Sequence, residues 1–193
     1  YARANEWSGP VGRYLQGSNV TILGGGGITV ELLPLLAPFN CVTTVIRKKA
    51  ENLPGATFTY TPERLGEVLE TTDLLILALA LTEETKGIID KKALDLMPSH
   101  SHIVNVARGQ HQVNEDILDA LDSGQMEGAF LDVFPVEPLP KENRLWNHPK
   151  VIVTPHIAVV TKLEAAVPQI KKNIENLQQG NLLINTVDRY KGY

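Results

Sequence analysis

The chain has 193 residues, enough for one large domain or two small ones, and its 43% hydrophobic and 21% charged residues describe an ordinary globular protein, not a disordered one. A net charge of −4 excludes the basic excess of a general nucleic-acid binder. The longest apolar run, Leu74 to Leu81, is far shorter than the roughly 20 residues that span a bilayer, so neither nucleic acid nor membrane is an expected partner.

Tyr1 in place of an initiator methionine reads as a chain that begins inside a longer or processed parent, and no basic-then-apolar signal segment opens it. The first strand is expected at Asn19–Leu23, followed by four consecutive glycines and a helix over Ile28–Ala37 in which Pro34 forfeits one hydrogen bond. A strand over Cys41–Ile46, a helix over Pro62–Thr71, a strand over Leu74–Leu81 and a helix over Lys91–Met97 follow. The second half reads as strand Ile103–Val106, helix Asn114–Ser123, strands Gly128–Asp132 and Val151–Thr154, and a last helix over Lys162–Gln179. Several strands are apolar on consecutive positions, as parallel strands covered on both faces require. Alternation of strand and helix almost throughout predicts a Rossmann-type α/β fold, a doubly wound parallel sheet with helices on both faces and right-handed crossovers. No repeat or low-complexity linker divides it, so residues 1–193 read as one dinucleotide-binding domain. The lone Cys41 has no internal disulfide partner, which points to a reducing, cytoplasmic compartment.

The stretch "NVTILGGGGITVELL" sets out a fingerprint. In G-x-G-x-x-G/A the first glycine makes a tight turn, the second lets backbone approach a pyrophosphate, and the third lets the helix pack close. Gly24 and Gly26 fill the first two positions, Gly27 leaves the helix start bare for an anion, and Thr29 stands at the third. The glycines alone fit a flexible turn equally well; the flanking strand and helix favour the phosphate cradle. About 20 residues further on, an acid would meet an adenosine ribose hydroxyl. Here the second strand ends in Arg47-Lys48-Lys49 with no acid, which suits a 2′-phosphate and favours NADP(H) over NAD(H). A solvated basic turn is the alternative reading.

The segment "HIVNVARGQHQVNEDILDALDSGQMEGAFLDVFPVEPLP", followed by "VIVTPHIAVVT", is more specific. It resembles the D-isomer-specific 2-hydroxyacid dehydrogenases, and the likeness extends from "RANEW" through "LTEETKGIIDKKALDLM" to "NTVDRYKGY". The resemblance implies reversible reduction of a small 2-oxo acid to a D-2-hydroxy acid, glyoxylate and hydroxypyruvate being family-level guesses. Arg108 matches the family's substrate-binding arginine, His156 its acid/base, and Glu137 the carboxylate that orients the imidazole and stabilises its charged form. The resemblance implies cofactor contacts from Ile28, Ala80, Thr85, Val106, Ala107, Arg108, Asp132, His156 and Ala158, with Asp132 beside the nicotinamide carboxamide. No metal site is assigned, and His100, His102, His111 and His148 read as structural. The chain departs from the family's pattern at Ala80, where proline is common, and at Val159, where glycine often stands; with Thr29, these departures fall on the cofactor side.

The resemblance further implies that the family's substrate-side domain is largely absent, so that this chain alone shows negligible turnover, and that dimers form through nucleotide domains. A nucleotide-sensing interaction protein like the family's corepressors stays open, as does a degenerate fold that no longer binds nucleotide.

Overall fold

The computed structural model describes residues 12–159 and 162–188; 3–7 and 189–193, which carry part of the resemblance, lie outside the described residues. Seven strands form one fully parallel sheet: β1 Asn19–Leu23, β2 Val42–Ile46, β3 Phe58–Tyr60, β4 Leu74–Leu77, β5 His102–Asn105, β6 Gly128–Leu131 and β7 Val151–Val153. Their order is β3-β2-β1-β4-β5-β6-β7, with the chain reversing direction across the sheet between β1 and β4. The helices are α1 Gly27–Leu36, α2 Leu65–Leu69, α3 Lys91–Leu96, α4 Asn114–Ser123 and α5 Leu163–Gln178. The expected doubly wound parallel sheet is therefore the fold.

Each face of the sheet buries its own core. On one, Val20, Ile22, Val45 and Ile76 pack with Leu33 and Leu36 of α1. On the other, Leu23, Leu75, Leu77, Ile103, Ala129 and Leu131 pack with Leu69 of α2, Leu94 of α3, and Ile117, Leu118 and Leu121 of α4. Thr21 is the polar exception in β1. Its hydroxyl shares a 2.7 Å hydrogen bond with that of Thr72, which also donates to the Val68 carbonyl, so neither polar group is left unpaired.

Three elements differ from the sequence expectation. β4 stops at Leu77, because its pairing with β1 and β5 ends there, and residues 78–81 leave the sheet to form a wall of the cleft below. The edge strand β3 goes unread because three residues show no usable alternation; it is recruited by pairing with β2. The helix expected over Pro62–Thr71 begins as a 3-10 turn at Pro62–Arg64 and is α-helical only over Leu65–Leu69. α1 runs through Pro34, and α5 through Pro168.

Candidate functional site

The glycine run joins β1 to α1 at the carboxyl edge of the sheet. Gly24 has φ +107°, and a Cβ there would lie 2.3 Å from the Ala78 carbonyl oxygen, so only glycine fits. Gly26 caps α1 without a side chain, no acid occupies the first turn, and a Cβ on Gly26 or Gly27 would meet open space. The first N–H groups of a helix have no acceptor within it, so here they face outward with the positive end of the helix dipole. Thr29 is fully buried, and its Oγ1 donates to the Gly24 carbonyl at 2.7 Å. The threonine is thus accommodated within the turn.

Beside the turn lies a cleft of about 270 Å³ lined by Ile28, Ala78, Leu79, Ala80, Leu81, Val106, Ala107 and Arg108. Five of the expected cofactor contacts meet here: Ile28, Ala80, Val106, Ala107 and Arg108. Thr85 does not line this cleft. Its hydroxyl donates to the Ala80 carbonyl at 2.9 Å and accepts from the Thr82 N–H, shaping the loop that forms the cleft wall.

The basic turn lies across the glycines. A Cβ on Gly25 would come within 2.8 Å of Arg47 Cδ, so the Arg47 stem rests on the turn itself. Lys48 Nζ pairs with Glu84 Oε2 at 2.7 Å, linking the end of β2 to the loop after β4. Glu84 is a participant that sequence reading missed, since nothing local pairs it with Lys48.

Arg108 follows β5 on a turn ordered by buried polar groups. Asn105 donates from Nδ2 to the Arg108 carbonyl and to Gln112 Oε1, both at 3.0 Å, and its Oδ1 accepts from the Ala107 N–H. His111 is fully buried; its Nδ1 accepts from the Arg108 N–H at 3.2 Å, and Nε2 donates to the Ala80 carbonyl at 3.3 Å. Burial, which disfavours the imidazolium, holds His111 below its ordinary value, and the neighbouring Arg108 charge adds to this. The Arg108 guanidinium donates to the Ala107 carbonyl from Nη1 at 2.6 Å and is otherwise exposed.

Glu137 and His156 meet on the loops after β6 and β7. Glu137 Oε2 lies 2.8 Å from His156 Nδ1, while Oε1 accepts from the Phe134 N–H at 2.8 Å. The hydrogen bond to His156 first, then that to Phe134, lowers the Glu137 pKa from its ordinary value. His156 has φ +53°, a strained conformation for a non-glycine residue. Asp132 sustains it: its carboxylate accepts from the Thr154 hydroxyl, the Ile157 N–H at 2.9 Å and the Ala158 N–H at 3.0 Å, and its carbonyl accepts from the His156 N–H. Burial raises the Asp132 pKa, but these donors outweigh it and the net shift is downward. Asp132, Ala158 and Val106 line a second, mostly apolar cleft of about 220 Å³ with Thr154 and Ile157, and Val106 is common to both clefts. Thr154 and Ile157 were not singled out in the sequence; they reach the cleft on a loop whose donors converge on Asp132.

The Arg108 loop abuts the Glu137 loop. Gly109 passes so close to Phe134 that a Cβ would sit 1.9 Å from its carbonyl carbon, and Gln110 Nε2 donates to the Pro135 carbonyl. A guanidinium fork, a carboxylate-paired imidazole and a glycine-capped helix start therefore share one edge of the sheet, where open α/β sheets bind ligands. Among the described residues, no group of three or more His, Cys, Asp or Glu side chains is arranged to hold a metal ion.

The family profile described as D-isomer specific 2-hydroxyacid dehydrogenase, NAD binding domain, matches residues 1–158. Glyoxylate/hydroxypyruvate reductase A of Klebsiella pneumoniae strain 342 is 40% identical over 174 residues, covering 90% of this chain and 56% of its own. The chain thus spans about half the length of the curated relatives it matches. A Xanthobacter autotrophicus D-isomer specific 2-hydroxyacid dehydrogenase, solved with NADPH and MES, superposes with a TM-score of 0.91 at 32% identity, covering 100% of this chain and 79% of that one. The NADPH-dependent glyoxylate/hydroxypyruvate reductase of Sinorhizobium meliloti, solved with NADP and sulfate, gives 0.91 at 31% identity, covering 100% of this chain and 62% of that one. The chain belongs to the D-isomer specific 2-hydroxyacid dehydrogenase family, whose NAD binding domain it matches.

Proposed function

We propose that this chain is the dinucleotide-binding domain of an NADPH-dependent reductase of small 2-oxo acids such as glyoxylate and hydroxypyruvate. The observation that carries the reading is the 2.8 Å Glu137–His156 pair, set on the same edge as the Arg108 loop and the glycine turn. The cradle suits a dinucleotide: the helix start is bare of acids and capped by glycine, and the mostly apolar second cleft on the same edge suits a nicotinamide ring. The nicotinamide, when bound, supplies the hydride. Arg108 presents a planar fork that can hold a carboxylate and the adjacent keto oxygen together. His156 donates a proton to that oxygen in reduction and accepts it in oxidation. Glu137 keeps the imidazole in one orientation, while Asp132 holds the loop that carries it. The S. meliloti and K. pneumoniae relatives support the substrate class.

In the full-length reductase of which this chain is proposed to be a domain, NADPH-dependent reduction of glyoxylate or hydroxypyruvate is the direct assay. His156→Ala should lower kcat by about 10²–10⁴-fold, and Arg108→Ala should raise KM as well. Tight nucleotide binding without turnover in that full-length protein would instead favour a nucleotide-sensing role.

The basic turn supports NADPH over NADH, with Arg47 resting on the glycines and Lys48 beside it. Arg47→Asp should reverse that preference, and added salt should erode it in the wild type. Equal affinities for the two cofactors in the wild type would refute this assignment. We further propose a cytoplasmic homodimer paired through nucleotide domains; the single Cys41 supports the compartment, and no described helix is long and apolar enough to cross a membrane.

A further inference from the structure

Thr29 occupies the place where the dinucleotide fingerprint wants a residue with almost no side chain. Its side chain is nevertheless fully buried, and its hydroxyl donates 2.7 Å back across five residues to the Gly24 carbonyl. That carbonyl belongs to the first peptide plane of the glycine turn, whose opposite edge is the Gly25 N–H. A planar trans peptide orients both groups together, so holding the carbonyl inward holds the N–H outward. The demand for such a hold is unusual here, because Gly24 to Gly27 are four successive residues with maximal backbone freedom. A threonine near a helix start commonly accepts a bond from a backbone N–H. Thr29 donates to a carbonyl instead, which leaves the free N–H groups of the helix start available to an anion.

We propose that Thr29 is a positioning residue of the phosphate cradle: its hydroxyl holds the four-glycine turn in its anion-accepting shape before a dinucleotide arrives. The inference rests on the reading of this turn as the pyrophosphate site. It reverses the expectation from the fingerprint alone, in which Thr29→Gly would relieve crowding and tighten binding.

Two substitutions separate the hydroxyl from the volume. Thr29→Val keeps the branched shape and removes the donor; Thr29→Ser keeps the donor and removes the methyl. NADPH and NADH affinities are measured by fluorescence titration below the unfolding temperature, and amide hydrogen exchange across Gly24–Ile28 is followed in the nucleotide-free protein. Thr29→Val should weaken both cofactors equally, by about three- to tenfold as for one lost hydrogen bond, and speed exchange at Gly25–Gly27. Thr29→Ser should stay within about twofold of wild type in both measurements. Wild-type behaviour in Thr29→Val, or a larger loss in Thr29→Ser than in Thr29→Val, would overturn the proposal. If wild type binds neither dinucleotide, the reading of the cradle fails, and the exchange rates alone decide whether Thr29 holds the turn.

Discussion

Gly109 admits no side chain, although nothing around it in "ARGQHQ" marks it apart from other glycines. The reason is the backbone of Phe134, which would lie 1.9 Å from a Cβ. Gly109→Ala should therefore push the Arg108 loop away from the Phe134–Glu137 turn and destabilise the protein by about 3 kcal/mol or more, an overpacking penalty measurable by denaturant unfolding. A fully retained midpoint would mean that the two loops are free to separate. At this scale the sequence is legible for residues whose chemistry is distinctive. Arg108, Glu137 and His156 stand out through the family's motifs, and the structure brings Glu137 and His156 into direct contact. It is illegible for Asn105, Gln112 and Glu84, ordinary polar residues whose partners are set by the fold.

The loops at the carboxyl ends of β4 and β5 are joined by His111, buried between the Arg108 N–H and the Ala80 carbonyl. Its role as a structural histidine agrees with the sequence reading; its place as the pin between the two walls of the cleft does not follow from sequence. Since its folded pKa lies below the ordinary 6.5, the unfolded chain binds the proton more readily. The contribution to stability is complete above about 6.5 and is lost as pH falls through that value toward the lowered one. Asp132 and Glu137, both lowered, add a second loss at more acid pH, below their ordinary 3.8 and 4.5. Thermal unfolding followed from pH 8 to pH 5 should show the first decline, and His111→Asn should flatten it while lowering the midpoint throughout. A wild-type midpoint constant across that range would contradict the buried neutral imidazole. Element boundaries are legible where local signals close the element, as the glycine run does after β1 and Gly124 after α4. They failed where pairing decides the end, as at β4, or where an edge strand is only three residues long.

The described residues leave a broad apolar surface uncovered. Leu163, Val167, Ile170, Ile174 and Leu177 are exposed along one stripe of α5. On the sheet face shared with α1, Phe130 and Ile152 lie open beyond the reach of that helix. Surfaces of this kind mark interaction sites more often than free faces of a monomer. The relatives are nearly twice as long as the matched segment, and the proposed two-domain reading assigns cleft closure and water exclusion to a part outside that segment. The 193-residue chain alone should bind NADPH yet turn over 2-oxo acids at least about 10³-fold more slowly than a full-length relative under the same assay, reflecting lost positioning and water exclusion. Ordinary enzyme rates from the chain alone would refute the two-domain mechanism.

By itself the sequence determined the alternation of strand and helix, the parallel sheet, and the identity of the groups able to do chemistry, because hydrophobic periodicity, glycine punctuation and functional groups are local properties of the chain. Only the tertiary structure decided how those groups are held. Thr29 reads as a flaw in the fingerprint until its hydroxyl is seen on the Gly24 carbonyl, and Asp132, expected from the resemblance beside the nicotinamide carboxamide, has its carboxylate gathering the loop that carries His156. Both depend on residues that meet across turns and between strands, where direction and distance are set by the packing of the whole sheet and not by neighbours in sequence.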